Sequence, residues 1–354
     1  MAYPTLNPNE VVLGKDVAGA LYNQIISINT EASNIAGVYG KLLEAMKTDG
    51  GMYGDTKLII ETDCLESSEW GMDAEAANLL EVKRPKKPNT EAFVIDQFRQ
   101  VMVTLDDYMT KRAFADEGSF SSFNSVVRGW VSDTKKIYDA TTFNAAIGTL
   151  ESAKAAQNIT IDIAPSGSTA TEGQIVAEEL ADLLVKLGDV SRDYNDLGFL
   201  RSYGQEDIIV VWNAAHVNAI KKIDLPTLFH KEGLIDKFED YVLPARYFGE
   251  VVSTGTADGK THRSLIEQTI DKVHYFPGDL LASGVDLTKY KAYKEDSKVI
   301  CKVMAKGSVP FMSSFSVGTS FFNPKSLTEN QYLTWSHNTL RYREGKPYIT
   351  IKAK

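Results

Sequence analysis

Three stretches predict an α+β fold organised around one long helix. Residues 119–153 repeat large apolar side chains at helical spacing, residues 52–118 read as a long charge-segregated hairpin, and the C-terminal part is a series of short strand-like runs broken by Gly, Pro and Asn. In the first stretch Phe120, Phe123, Val127, Trp130, Val131, Ile137 and Tyr138 step by three and four, and Phe143, Ile147 and Leu150 renew the stripe. Ser119, after Gly118, is the expected N-cap. Some 35 helical residues would run roughly 50 Å, about the width of a compact globule of this chain length. Either the helix breaks, at Gly129 or Gly148, or the subunit is drawn out along it. The second is the expectation.

The chain has 354 residues, of which 43% are hydrophobic and 24% charged, an ordinary globular composition with room for two or three subdomains. No apolar run is long enough to cross a membrane, and the N-terminus MAYPTLNPNE lacks the basic start and apolar run of a signal peptide. The expectation is a soluble protein made in the cytosol. Cys64 and Cys301 are too few and too far apart in sequence for a disulfide framework or a zinc cluster. A net charge of -9 speaks against a surface that grips nucleic acid, which needs Lys and Arg facing phosphates. A shell around nucleic acid needs no such grip.

Residues 1–14 read as an extended arm, and 15–47 as one or two helices ended by Asp49-Gly50-Gly51. Lys57 to Thr62 and Phe93 to Leu105 read as strands. From Leu58 to Val82 the acids Glu61, Asp63, Glu66, Glu69, Asp73, Glu75 and Glu81 occur with no Lys or Arg, and then Lys83, Arg84, Lys86 and Lys87 cluster around Pro85 and Pro88. A loop this long without its own core is usually functional or disordered. Trp70, Met72, Leu79 and Leu80 are costly to leave in water, so the hairpin needs a partner surface. Further on, 158–163 alternates like a strand, and 172–196 is an amphipathic helix with Thr171 as cap. Asp207 to Trp212 is a continuous apolar run, hence a buried strand, followed by a helix through Val217 and Ile220. Strand-like runs follow at 271–276, 298–305, 311–322 and 348–352.

Nothing in the pattern argues for an active site. Gly255 to Thr261 has three residues between its glycines where a phosphate loop needs four, and reads as a hairpin turn. His216, His230, His262, His274 and His337 show no helical pair and no flanking carboxylates, and neither cysteine has a catalytic context. No cofactor, metal site or catalytic residue is expected. What remains is a pattern of shape.

The order of parts resembles the major capsid protein of tailed bacteriophages, the Hong Kong 97-type capsid fold. The resemblance rests on the arm, the hairpin, the helix SFSSFNSVVRGWVSDTKKIYDATTFNAAIGTLESA, the segment QEDIIVVWNAAHVNAIKKI and the ending SVPFMSSFSVGTSFFNPKSLTENQYLTW. It implies an N-terminal arm and helix at 1–51, and an extended β-hairpin loop with its return at 52–118. A long spine helix with the first strand of a strand-rich peripheral domain would follow at 119–164, an α/β axial domain at 165–290, and a return to the peripheral domain at 291–354. The size and short N-terminus look most similar to those of small podoviruses. The first structured element by about Lys15 implies a separate scaffolding protein or none.

The function so implied is structural, not enzymatic. Copies of the chain would form pentamers and hexamers and close an icosahedral shell around packaged phage double-stranded DNA, held without sequence-specific binding. A scaffolding protein, a portal and decoration proteins would be partners, the site of assembly would be the host cytoplasm, and the destination the virion capsid. The extended loop would contact the adjacent subunit through Glu66, Glu69, Trp70, Met72, Lys83, Arg84, Lys86 and Lys87. Some relatives crosslink a loop lysine to an asparagine, for which Lys83, Lys86, Lys87 and Asn323 stand in the right regions without a supporting motif. Two other readings stay open at this point: an encapsulin-like nanocompartment shell, and a soluble α/β enzyme in which 52–118 is a lid.

Overall fold

The computed structural model describes residues 40–48, 56–67, 82, 84–106, 117–165, 172–217, 239–252, 264–269, 272–277, 291–314 and 316–354. The helices are α1 (Lys41–Met46), α2 (Glu117–Thr149) and α3 (Glu172–Gly188). The strands are β1 (Thr56–Glu61), β2 (Asn89–Asp106), β3 (Asn158–Ile161), β4 (Ile208–Asn213), β5 (Glu239–Leu243), β6 (Gly249–Val252) and β7 (Ser264–Thr269). They continue with β8 (Lys272–Pro277), β9 (Lys291–Glu295), β10 (Val299–Ala305), β11 (Ser316–Asn323), β12 (Thr328–Asn338) and β13 (Tyr348–Ala353). The expected arm, most of the 15–47 helix, Ile220 and the 255–261 turn lie outside the described residues, as do the side chains of Phe120, Phe123 and Val127.

α2 is the long helix read from the sequence. Its 33 residues span about 50 Å and run unbroken through Gly129 and Gly148. It begins at Glu117, so Ser119 lies in the first turn instead of capping it. From Tyr138 to Ile147 almost every residue is buried, because structure meets this half of the helix on more than one side. Ala140, Ala145 and Ala146 let those neighbours come close, and Phe143 packs edge-on against Phe311 at 6.1 Å.

The core sits on a five-stranded sheet in the order β3-β13-β10-β4-β5. β10 runs antiparallel to β13 and β4, whereas β3 and β5 run parallel to their neighbours. Every residue of β4 and β10 is buried, which is why the sequence shows a continuous apolar run at β4, and at β10 one interrupted only by Lys302, instead of alternation. Ile208, Val210, Trp212, Val303 and Ile351 pack with Val176, Leu180, Leu183, Leu184 and Leu187 of α3. Ile209, Val211, Met304 and Tyr348 turn the other way, into a second cluster with α1, Phe143, Ile147, Tyr247 and Phe248. The sheet is thus covered on both faces, and it unites β4 with β10 and β13 across the expected division at residue 290.

α3 stops at Gly188, short of the expected 196. Residues 189–201 form a tight loop closed by Asn195, which is fully buried. Its Nδ2 donates to the Phe199 carbonyl at 2.7 Å and its Oδ1 accepts from the Phe199 amide at 2.8 Å. Asparagine offers the chain a non-helical set of bonds, which ends the apolar periodicity early.

A second, four-stranded sheet has the order β1-β2-β12-β11, all antiparallel. It joins the hairpin region to the C-terminal strands. β2 carries an extra residue where its register with β12 shifts, and there Asp96 accepts from the amide and hydroxyl of Thr339 at 2.9 and 2.8 Å. A third sheet, β6-β9-β7-β8, is built from residues 249–295.

Candidate functional site

The part of the chain most in need of a partner is the hairpin, and its root is well defined. β1 and β2 pair from Thr56↔Val94 to Glu61↔Asn89, so the chain leaves that ladder at Thr62 and rejoins it at Asn89. Asp63 pins the outgoing arm. Its carboxylate takes Arg192 Nη1 at 2.8 Å on one oxygen and the Leu200 and Cys64 amides, each at 2.9 Å, on the other. The Arg192 bond first, then the Leu200 amide, hold this carboxyl well below the usual carboxylate range. Arg201 Nη2 donates to the Thr62 carbonyl at 2.7 Å. The loop that Asn195 closes is therefore the anchor for the first residues of the hairpin.

A second set of contacts holds the ladder itself. Glu61 pairs with Arg343, Glu91 accepts from the Glu344 amide at 2.9 Å, and Arg341 donates to the Ala92 carbonyl at 2.8 Å while lying 4.5 Å over the Phe93 ring. All three partners come from the turn before β13.

Of the eight contact residues read from the sequence, Glu66 and Lys86 meet across the hairpin at 3.0 Å, and the Lys86 bond lowers the Glu66 carboxyl. Arg84 and Lys87 are exposed on the returning arm, where Lys87, Pro88, Asn89 and Thr90 line an open cleft of about 450 Å³ against Leu197 and Phe199. Glu69, Trp70, Met72 and Lys83 lie outside the described residues. The clamping residues Asp63, Arg192, Arg201, Arg341 and Arg343 were not singled out from sequence. Asp63 was legible as one of the loop's acids; its partners, more than a hundred positions away, carry no local signal.

The four-stranded sheet offers a broad surface. Its inner face carries Val101, Leu333 and Trp335 onto Tyr138 of α2, with Tyr138 and Trp335 edge to face at 5.6 Å. Its outer face leaves Phe98, Met102, Val317 and Phe321 exposed, the two phenylalanines by 58% and 63%, and Leu58 and Ile60 are exposed on β1, beyond the register shift in β2. The registers put the first four on one side of the sheet: Phe98 lies opposite Ser336, Met102 opposite Tyr332, Val317 opposite Thr334 and Phe321 opposite Asn330. Apolar exposure of this extent on one sheet face marks an interaction surface.

No comparable arrangement for chemistry is present among the described residues. No three His, Cys, Asp or Glu groups there are grouped to hold a metal ion. His216 bonds Glu172 and the Ser297 carbonyl, each at 2.8 Å, and buried His337 bonds Tyr138 and the Asn338 carbonyl. Both are structural. No described helix is long and apolar enough to cross a membrane.

Replacing Asp63 by Asn keeps the shape and removes the charge that gathers Arg192 and the two amides. The expected result is several-fold faster amide exchange at 58–64 and 200, with little change in global melting, since the central sheet is untouched. Hydrogen exchange followed by mass spectrometry reads this directly.

Comparison with known proteins agrees with a shell-forming surface. No curated protein sequence matches. A chain in the capsid structure of Staphylococcus phage Andhra is similar at TM-score 0.63 and 10% identity, over 94% of this chain and 88% of that one. A chain in the structure of the head fiber and inner core protein gp22 of native bacteriophage P68 is similar at 0.62 and 12%, over 93% and 88%. One in the capsid of cyanophage P-SCSP1u is similar at 0.52 and 11%, over 94% of each. At such identities these likenesses establish the fold, a mixed helix and sheet architecture like that of phage capsid proteins. The family described as Phi29-like phage major capsid protein matches residues 17–342, most of the chain, and to that family this protein belongs.

Proposed function

We propose that this capsid shell protein assembles into rings of five and six, and that the 62–88 hairpin makes the contact between neighbours within a ring. Heterologous contacts that close by rotation generate rings, and rings close a shell. The single observation that carries the reading is the hairpin root: the chain is pinned at Glu61 and Asp63 where it leaves the sheet and at Glu91 where it rejoins it, which holds the acid-rich and basic arms in a fixed direction for a second surface. Trp70 and Met72 are the proposed anchors. Glu69 and Lys83, with the pair Glu66 and Lys86 and the exposed Arg84 and Lys87, would set register, because exposed ion pairs contribute only about 0 to 1 kcal/mol each.

The shell would enclose packaged double-stranded DNA without gripping it, as an acidic subunit suits, and scaffolding, portal and decoration proteins would be its partners. Assembly would take place in the host cytoplasm. The domain scheme proposed is the arm to 51, the loop to 118, the spine and first strand to 164, the axial part to 290 and the peripheral return. Membership of a phage capsid family does not favour the nanocompartment or the lidded enzyme.

Trp70→Ala tests the anchor. The expected outcome is a subunit with unchanged circular dichroism and melting that sediments as small species under conditions where the parent protein forms shells. Normal shells from this variant would remove Trp70 from the contact.

A further inference from the structure

We propose that Glu91 and Glu61 form a proton-binding joint at the hairpin root, at which uptake of one proton tightens the attachment of β1 and β2 to the turn before β13. Glu91 is only 5% exposed. One of its oxygens accepts from the Glu344 amide; the other, Oε2, is buried with no hydrogen-bond partner. Glu61 repeats the arrangement: Oε1 pairs with Arg343, and Oε2 is buried without a partner. Glu91 stands opposite Ile59 in the ladder, so Glu61, two residues further along β1, is its diagonal neighbour on the same face. The turn closes over them at Gly345, where a Cβ would overlap Glu61 Oε2 and the Glu61 carboxylate would have to move.

Two buried carboxylate oxygens without donors, on neighbouring strands, are costly when both groups are ionised. The surrounding cations are committed elsewhere. Arg341 serves the Ala92 carbonyl, Arg343 serves Glu61 through Nη2 while its Nε is buried without a partner, and Lys346 donates to the Lys306 carbonyl. Among the described residues, Glu344, from the same turn, and Tyr203, whose hydroxyl donates to the Gly345 carbonyl at 3.0 Å, are the other titratable groups near the pair. Arg343 in contact with Glu61 disfavours a metal cation there, which leaves the proton as the ligand the chemistry accepts. A proton on Glu91 removes one of two like charges and turns an orphan acceptor into a donor.

Burial holds the Glu91 carboxyl above its ordinary 4.5, opposed by the Glu344 amide and reinforced by the charge of Glu61. A raised folded value means a contribution fully present below 4.5 and lost as pH rises through the folded value. Asp63 is held in the opposite direction and stays ionised over this range, so mild acid strengthens one side of the root without releasing the other. The joint is argued from the root alone; only its consequence for assembly rests on the hairpin reaching a neighbour.

The test is amide exchange on the unassembled full chain at pH 5 and pH 7.5, corrected for intrinsic rates, in the parent protein and in Glu91→Gln. The expected result is protection at 58–61 and 89–92 that rises at least about threefold at pH 5 in the parent. In Glu91→Gln it should be the same at both pH values and close to the parent at pH 5. A rise that survives in Glu91→Gln, or no rise in the parent, overturns the joint. Should Glu91→Gln not fold, infrared pH-difference spectra decide: a carboxylic-acid carbonyl band of the parent should titrate above 4.5 and move to lower pH in Glu61→Gln. A band with the ordinary midpoint in both overturns the proposal. Since the subunit is unassembled, the outcome does not depend on whether Trp70→Ala forms shells.

Discussion

Gly148→Ala should destabilise the subunit by about 3 kcal/mol or more, measured by denaturant unfolding of the unassembled protein. A Cβ at this position would lie 1.8 Å from the Tyr247 carbonyl oxygen, 2.5 Å from its carbon and 3.1 Å from the Phe248 nitrogen. Those atoms are backbone, so no side chain can swing aside. Tyr247 and Phe248 belong to the same buried cluster as Phe143 and Ile147, and moving the 245–247 turn off α2 would open it. Gly129 is the control within the same helix: a Cβ there meets nothing within 4 Å, and Gly129→Ala should stabilise by up to about 1 kcal/mol through helix propensity alone. Equal effects of the two substitutions would contradict the packing described for the end of α2.

Lys302 should make stability rise with pH between 7 and 9. It sits on β10, fully buried on the α2 side of the sheet, and its Nζ donates to the Leu150 carbonyl at 2.7 Å and to the Thr350 hydroxyl at 3.0 Å. It thereby ties the end of the long helix to the central sheet. Glu151 is 4.0 Å away and is itself held by Lys352 at 2.6 Å. Burial pulls the Lys302 ammonium from 10.5 down to about 7, with Glu151 opposing. The unfolded chain therefore holds a proton that the folded chain has lost, so the contribution is present above 10.5 and disappears as pH falls to about 7. Burial pushes the Cys301 thiol up from 9, which works against folding at higher pH, so the comparison belongs below 9. Against Lys302→Met, the parent should gain on the order of 2 kcal/mol from pH 7 to 9 in denaturant unfolding. Parallel pH profiles of the two proteins would show that Lys302 does not titrate in this range.

The elements legible in the sequence were those whose burial is periodic or complete. α2 and α3 announce themselves by apolar residues three and four apart, β4 by an unbroken apolar run, and β10 by a run broken only at Lys302. β12 had no place among the strand-like runs. Its outer side carries Asn330, Tyr332, Thr334 and Ser336, and its inner side turns apolar only at Leu333 and Trp335, so alternation is faint until a neighbour is known. β5, β6, β7 and β9 are short, and their pairing is set by partners elsewhere in the chain.

The candidate site was legible by charge and not by contact. The acid-rich outgoing arm and basic returning arm predicted a hairpin, and Glu66 facing Lys86 is that pattern made local. What fixes the hairpin is different in kind. Asp63 with Arg192, Glu61 with Arg343 and Glu91 with the Glu344 amide are pairs separated by 129 to 282 positions, and no spacing rule reaches so far. Gly345 would have passed for an ordinary turn residue, yet its missing side chain is the space Glu61 occupies.

The most direct measurement is the size and form of the purified protein, by sedimentation velocity with negative-stain electron microscopy, alone and with the products of neighbouring genes. A shell-forming subunit predicts closed particles or tubes built of regular rings. A stable monomer or dimer under every condition, including with a candidate scaffolding protein, would contradict it.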